Sequence, residues 1–339
     1  MEHVTGPPGH PPVLPYDERQ RRPGRTLAAW AAGLLLAGVS AVMGCRIADV
    51  DGVTPVPQLL AFLPWLLAPT GFALLLTALA RWRIGMLWGV AAVGALVWYI
   101  EPYGKDVEPS GPPVAEVRVL ASNVQLGRGT ASLVGAVRRE RPDVVFVEEC
   151  DYGCQDTLGR ELPRADFRYR QAVEAGGSGG SVIVSRYPLK ATAGIPATMG
   201  MPGAVADMKG HAVRLQLAHP MPPLPRQVGL WRSELGKLRD FAAAGRDRPT
   251  IVAGDFNATQ DHAAFRHILD AGLHDSTRLT GTSRAPSWPS RAPAPLGVQI
   301  DHVLVSEDFA PHSARFIQLS GTDHRALLVD LTFHGPRTP

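Results

Sequence analysis

Three runs near the N-terminus, residues 26–45, 52–80 and 84–100, contain no Asp, Glu, Lys or Arg. A bilayer-spanning helix needs about 17–25 apolar residues, and none of these runs keeps a polar face for water. The pattern therefore predicts three transmembrane helices, about 26–45, 57–80 and 84–100, with Pro64 and Pro69 kinking the second. Trp82, Trp88, Trp98, Tyr99 and Tyr103 stand near the run ends, where aromatic belts form. From Val114 the pattern changes to short apolar or alternating runs interleaved with amphipathic stretches. Strands are predicted over 116–124, 144–149, 181–185, 212–219, 250–256, 298–306 and 324–333, and helices over 132–140, 228–244 and 262–272. Some strands alternate and others are apolar throughout, which predicts an α/β (α+β) domain with sheets packed on each other and helices outside.

Charge sets the expected orientation. Arg19, Arg21, Arg22 and Arg25 precede the first run and Arg81 and Arg83 separate the second from the third, whereas the first loop carries Arg46 beside Asp49 and Asp51. Basic residues in short flanks stay cytoplasmic, so the N-terminus is expected inside and everything from Val114 onward outside, as a multi-pass plasma-membrane protein. The expected organisation is a disordered Pro-rich tail (1–25), a helical membrane region (26–100), a linker (101–113) and an extracytoplasmic domain (114–335). Val42-Met43-Gly44-Cys45 loosely resembles a lipoprotein signal with a lipidated Cys45, although Met43 fits it poorly, and cleavage there would still leave the domain outside.

Composition narrows the classes. With 45% hydrophobic and 19% charged residues the chain of 339 is too apolar to be disordered, and three Cys make no disulfide framework. Cys150 and Cys154 read equally as a local disulfide or as two packed thiols. A net charge of +3, from 34 Lys+Arg against 31 Asp+Glu, neither demands nor excludes a nucleic acid.

Polar residues gather at predicted strand ends: Asn123, Glu149, His219, Asp255, Asn257, Asp301, Asp323 and His324. Each alone reads as a turn or cap residue. Together they offer hard oxygen ligands, amides and imidazoles, the set that metal-assisted phosphoester chemistry requires.

In order along 114–334 stand Ser122-Asn123-Val124, Pro142-Asp143-Val144-Val145 with Glu148-Glu149, Gly180-Ser181-Val182 running to Pro188, Ala218-His219-Pro220, Gly254-Asp255-Phe256-Asn257, Ile300-Asp301-His302-Val303-Leu304 and Thr322-Asp323-His324-Arg325. This series resembles the endonuclease/exonuclease/phosphatase superfamily. The resemblance implies a four-layer αββα sandwich of the DNase I-like type. It also implies a Mg2+ site, with Mn2+ as the alternative, held by Glu149 with Asn123 and Asp323 close to the metal or its waters. His324 would be general base or phosphate contact, oriented by Asp301. Asp255 would serve the proton transfers, and Asn257 and His219 would hold phosphoryl oxygens. Glu148 departs from the usual Gln and is expected to face away from the metal; Gln125 and Thr322 are further departures.

Three helices followed by an external domain of this type resemble the VanJ-type teicoplanin-resistance membrane proteins. That likeness implies dephosphorylation of a lipid-linked phosphate, undecaprenyl pyrophosphate, with an extracellular nuclease or a sphingomyelinase-like phosphodiesterase as alternatives. A binding-only domain would have lost metal or His positions, and none is lost. Trp288, in the Pro-rich stretch 285–297, reads as a lipid or base platform or as a packing residue. Nothing in the sequence sets an oligomeric state.

Overall fold

The computed structural model describes residues 23–335 except 105, 110, 164, 294 and 295. Most of the expected N-terminal tail lies outside the described residues. These fall into two compact units, one joining 23–40 with Leu67–Gly94 and the other joining Ala41–Leu66 with the chain from Ala95 onward.

The apolar elements are α1 (Pro23–Ile47), α2 (Val56–Ala61), a 3-10 turn at Leu63–Leu66, α3 (Leu67–Leu79) and α4 (Arg83–Ile100). Two of them, α1 and α4, are long and apolar enough to cross a membrane. Leu27, Trp30 and Leu34 on α1, and Ile84, Leu87 and Trp98 on α4, are exposed. Only 28% and 17% of their most apolar stretches is buried, whereas a core helix of a soluble protein hides such side chains. In the first unit Ala32, Leu36, Ala73 and Ala92 form a small shared core.

The second run is not the single helix expected over 57–80. It breaks into α2, the 3-10 turn and α3, because Pro64 lacks the N–H that a continuous helix would return to Leu60. With 13 residues α3 rises about 20 Å, short of the roughly 30 Å hydrocarbon layer.

The second unit carries two six-stranded sheets. Its strands are β1 (Pro113–Asn123), β2 (Val144–Glu148), β3 (Tyr169–Val173), β4 (Ser181–Ser185), β5 (Leu189–Thr192), β6 (Gly203–Met208), β7 (His211–Ala218), β8 (Thr250–Asp255), β9 (His274–Asp275), β10 (Asp301–Val305), β11 (Phe309–Gln318) and β12 (Arg325–His334). One sheet runs β11-β12-β1-β2-β4-β3 and the other β5-β6-β7-β8-β10-β9. The helices are α5 (Thr130–Glu140), α6 (Tyr152–Glu161), α7 (Val228–Ala243), α8 (Ala263–Asp270) and α9 (Ser276–Leu279). Each sheet has one parallel pair, β1–β2 and β7–β8, and α5 and α7 make the crossovers that parallel pairing requires.

Alternation sorts the side chains. Val117, Val119, Ala121, Phe146, Leu215, Leu217, Ile251 and Ala253 meet between the sheets. Leu120, Val145 and Val147 turn outward to Leu133, Val137 and Leu158 of α5 and α6. Val252 and Leu304 meet Trp231, Leu235, Leu238 and Phe265 of α7 and α8. The result is a mixed α/β two-sheet sandwich with helices on both outer faces. The run expected as a strand over 298–306 pairs continuously only from Asp301; Val298 makes a single bridge to Trp288.

Candidate active site

The ends of β1, β2 and β8 and the starts of β10 and β12 bring the polar residues together. Asp255 and Asp301 face each other across the antiparallel β8–β10 pair. Asp301 Oδ2 lies 2.9 Å from His324 Nδ1, and His324 Nε2 lies 3.7 Å from Asp255 Oδ2. Asn123 Nδ2 donates to Asp255 Oδ2 at 3.1 Å and to Glu149 Oε1 at 3.3 Å. Asp255 Oδ1 accepts the Asn257 backbone N–H at 2.8 Å, and Asn257 Nδ2 donates to the Pro220 carbonyl at 3.0 Å, beside His219. Asp323 is held to one side: its Oδ2 accepts the Trp288 indole N–H at 3.1 Å.

Local conformation sets these positions. Glu149 has φ +53°, so β2 ends at Glu148 and the chain turns out of the pleat. Glu149 Oε2 then accepts the Leu126 N–H at 2.9 Å. Thr322 ties the last strand to the first, its hydroxyl donating to the Asn123 carbonyl and accepting the His324 N–H.

One expectation is corrected. Glu148 shares its face of β2 with Val144 and Phe146, which pack between the sheets, so its side chain points inward toward Asp255 and Asp301 and does not turn away. It is fully buried, and among the described residues no other side chain or backbone group hydrogen-bonds either carboxylate oxygen.

The electrostatics follow from burial and crowding. Burial lifts Glu148 well above the usual carboxylate range, and Asp301 and Asp255 add to the effect. Burial also pushes Asp255 up to about 7, with His324 opposing and Asp301 adding. His219 is pushed down to about 3 by burial, with His324 contributing, so its imidazole is neutral. For His324 burial acts downward, but Asp301 and Asp255 outweigh it and hold the imidazole at about 10.

The donor set suits a hard divalent cation. Asp255, Asp301 and His324 each present one ligand atom within 4.8 Å of the others, and Asp301 Oδ1 is buried without a partner among the described residues. Glu149 stands next to them through Asn123. Burial and the crowding of Glu148, Asp255 and Asp301 drive Glu148 and Asp255 toward their neutral forms, and a dication there would favour the charged ones.

Three contributors to the site were not given their roles by sequence reasoning. Ser287 Oγ accepts the N–H groups of Ile300 and Asp301 and so fixes the start of β10. Trp288 acts through its N–H on Asp323. Glu148 floors the site, and strand alternation counted on from Val144 and Phe146 places it on the face between the sheets.

Residues 120–324 match the Endonuclease/Exonuclease/phosphatase family. Among solved structures, D. rerio TDP2 complexed with a single-strand DNA product aligns at TM-score 0.53 and 17% identity, over 64% of this chain and 99% of that one. The endonuclease/exonuclease/phosphatase from Bacteroides vulgatus aligns at 0.52 and 17%, over 65% and 100%. A functionally unknown conserved protein from Enterococcus faecalis V583 aligns at 0.51 and 13%, over 64% and 100%. These likenesses are of fold. A search of curated proteins gave no significant match.

Proposed function

Because the chain belongs to the endonuclease/exonuclease/phosphatase family, we propose that it is a membrane-anchored, Mg2+-dependent phosphoesterase acting outside the cell. Its substrate is a lipid-linked phosphate, undecaprenyl pyrophosphate first among that class, and the resulting role is in glycopeptide (teicoplanin) resistance. The observation that carries the reading is His324 held between Asp301 and Asp255, with Asn123 joining that pair to Glu149. The exposed apolar faces of α1 and α4 support the anchor. The disulfide between Cys150 and Cys154 supports an oxidising, extracytoplasmic setting.

Glu149, bonded to Asn123, would hold Mg2+, with Asp323 as the proposed contact to its waters from the Trp288 side; the ion when bound would supply charge neutralisation at the phosphoryl group. The protein's own residues then divide the work. Asp301 fixes the His324 ring through Nδ1, leaving Nε2 turned toward Asp255 and the substrate side. A protonated His324 donates to a phosphoryl oxygen. Asp255, poised near neutrality and clamped by the Asn257 N–H, takes the proton of the attacking water. Neutral His219, whose Nδ1 has no partner, and Asn257 hold further phosphoryl oxygens, so that positioning and electrostatics carry the rate.

The test is phosphate release from undecaprenyl pyrophosphate by detergent-purified protein with Mg2+ or EDTA, run beside His324→Ala and Glu149→Ala. Metal-dependent release that vanishes in both variants, with melting behaviour kept, is the expected result. Activity retained in either variant breaks the site assignment. No release from the diphosphate, with cleavage of DNA or of a phosphodiester lipid, moves the function to a nuclease or a sphingomyelinase-like enzyme.

A further inference from the structure

The segment between α1 and α2 belongs to the same compact unit as the sandwich, and it is seated on α8. The residue before α8, His262, gives that helix no side-chain cap. The free N–H groups of Ala263 and Ala264 are taken by the two carboxylate oxygens of Asp51, at 2.6 and 3.1 Å, from 212 and 213 positions away in sequence. A helix start that its own chain leaves open is completed by the loop. Asp49 adds an ion pair to Arg266 at 2.5 Å and a hydrogen bond with His267 Nε2 at 2.6 Å. His262 Nδ1 accepts the Thr259 N–H at 2.9 Å, so Nε2 carries the proton and donates to the Pro57 carbonyl at 2.8 Å. At the end of α4, Arg284 Nε donates to the Ile100 carbonyl at 2.7 Å, while its two terminal nitrogens grip Asp261 at 2.6 and 2.9 Å.

Two short segments carry both this contact and the candidate site. Residues 255–262 begin with Asp255 and Asn257 and end with Asp261 and His262. Residues 219–224 begin with His219 and reach Pro223, whose carbonyl accepts the Gln58 side-chain amide, and then the exposed Leu224. Asp51 and Asp261 are almost fully buried. Buried ionic groups contribute little net stability relative to apolar ones; what they can supply is a unique arrangement. A short Pro-rich linker such as 101–113 limits how far a domain wanders but does not by itself fix which way the domain faces. A domain acting on a soluble phosphate would gain nothing from being fixed.

We propose that residues 47–58 are a docking element that locks the catalytic domain to the ends of α1 and α4, holding the site in one orientation for a phosphate whose lipid stays in the bilayer. The inference rests on the phosphoesterase reading above and adds to it that the orientation, not only the tether, serves a membrane-resident substrate. The advantage is that of a pre-paid encounter geometry.

The experiment uses the full chain in lipid vesicles, wild type against Asp51→Ala and the Asp49→Ala/Asp51→Ala double variant. The two substrates are undecaprenyl pyrophosphate in the vesicle and a short-chain, water-soluble prenyl diphosphate. The expected result is a loss of about tenfold or more in kcat/KM on the vesicle substrate, with the soluble one within about twofold of wild type. Asp51→Asn, whose amide oxygen still accepts, recovers part of the loss. An equal loss on both substrates, or no loss on the vesicle substrate, overturns the proposal. If wild type cleaves neither diphosphate, the substrate reading fails separately. Hydrogen exchange at Ala263 and Ala264 then decides the docking: protection that disappears in Asp51→Ala sustains it, and no protection in wild type overturns it.

Discussion

Replacing Gly254 by Ala is expected to damage the sandwich far more than one methyl group would in open space. Gly254 has φ +141°, where L side chains are strained. A Cβ built there would lie 2.3 Å from the Ala218 carbonyl oxygen and 2.7 Å from Glu148 Oε1. Ala218 is the parallel partner of Gly254 in the β7–β8 ladder, so the obstacle is backbone and yields only if two central strands part. Overpacking costs about 1–3 kcal/mol and the backbone conformation about 1–3 kcal/mol, together about 2–6 kcal/mol. For a domain of this size that lowers Tm by roughly 5–20 °C. The strands that part carry His219 and Asp255 at their ends, so turnover falls as well. The control is Gly135→Ala: Gly135 lies inside α5, and a Cβ there meets nothing within 4 Å. That change stabilises by about 0.5–1 kcal/mol. Thermal unfolding of the two variants beside wild type gives the answer. A Gly254→Ala protein melting within about 2 °C of wild type would refute the reasoning.

The disulfide and the site's titration give two more tests. Cys150 directly follows Glu149, and its bond to Cys154 closes a short loop at the start of α6; by chain entropy, Cys150→Ser/Cys154→Ser costs about 2 kcal/mol. Freed of the bond, Glu149 is less firmly placed, and calorimetry should show weaker Mg2+ binding; unchanged affinity would mean the bond serves stability alone. With metal removed by EDTA, His324 is held at about 10 against an ordinary value of 6.5, so the folded state binds its proton more tightly than the unfolded state. The stabilisation is full below about pH 6.5 and is lost as pH rises through about 10. Unfolding free energy followed over that window should fall with rising pH, and Asp301→Asn should flatten the slope; an unaltered slope would break the pairing.

Most interior strands were legible because each is a run of apolar or alternating residues bounded by turn signals: 181–185 matches β4, and 144–149 overshoots β2 by the one residue that turns out of the pleat. The interior β6 was missed, its short Gly203–Met208 run carrying too little apolar bulk to stand out. The sheet edges were not legible. β3, β5 and β11 are half-exposed on long stretches, and Pro311 interrupts β11, so neither period stands out. The tight turns after β1, β2 and β8, where Gln125, Glu149 and Asn257 take positive φ, have no sequence signature beyond the motifs themselves. The break in the second apolar run was legible only as two prolines; whether they bend a helix or divide it depends on what packs there.

Local chemistry in the chain thus determined the apolar segments, most of the inner strands and the order of polar motifs, since each depends on residues within a few positions of one another. Tertiary structure alone decided that Glu148 floors the site, that Cys150 bonds Cys154, and that Asp51 caps α8 from 212 positions away. The Asp51 cap and the placing of Glu148 against Asp255 and Asp301 depend on which surfaces meet, which no local motif carries; the Cys pair is close in sequence, but two packed thiols would read the same way there.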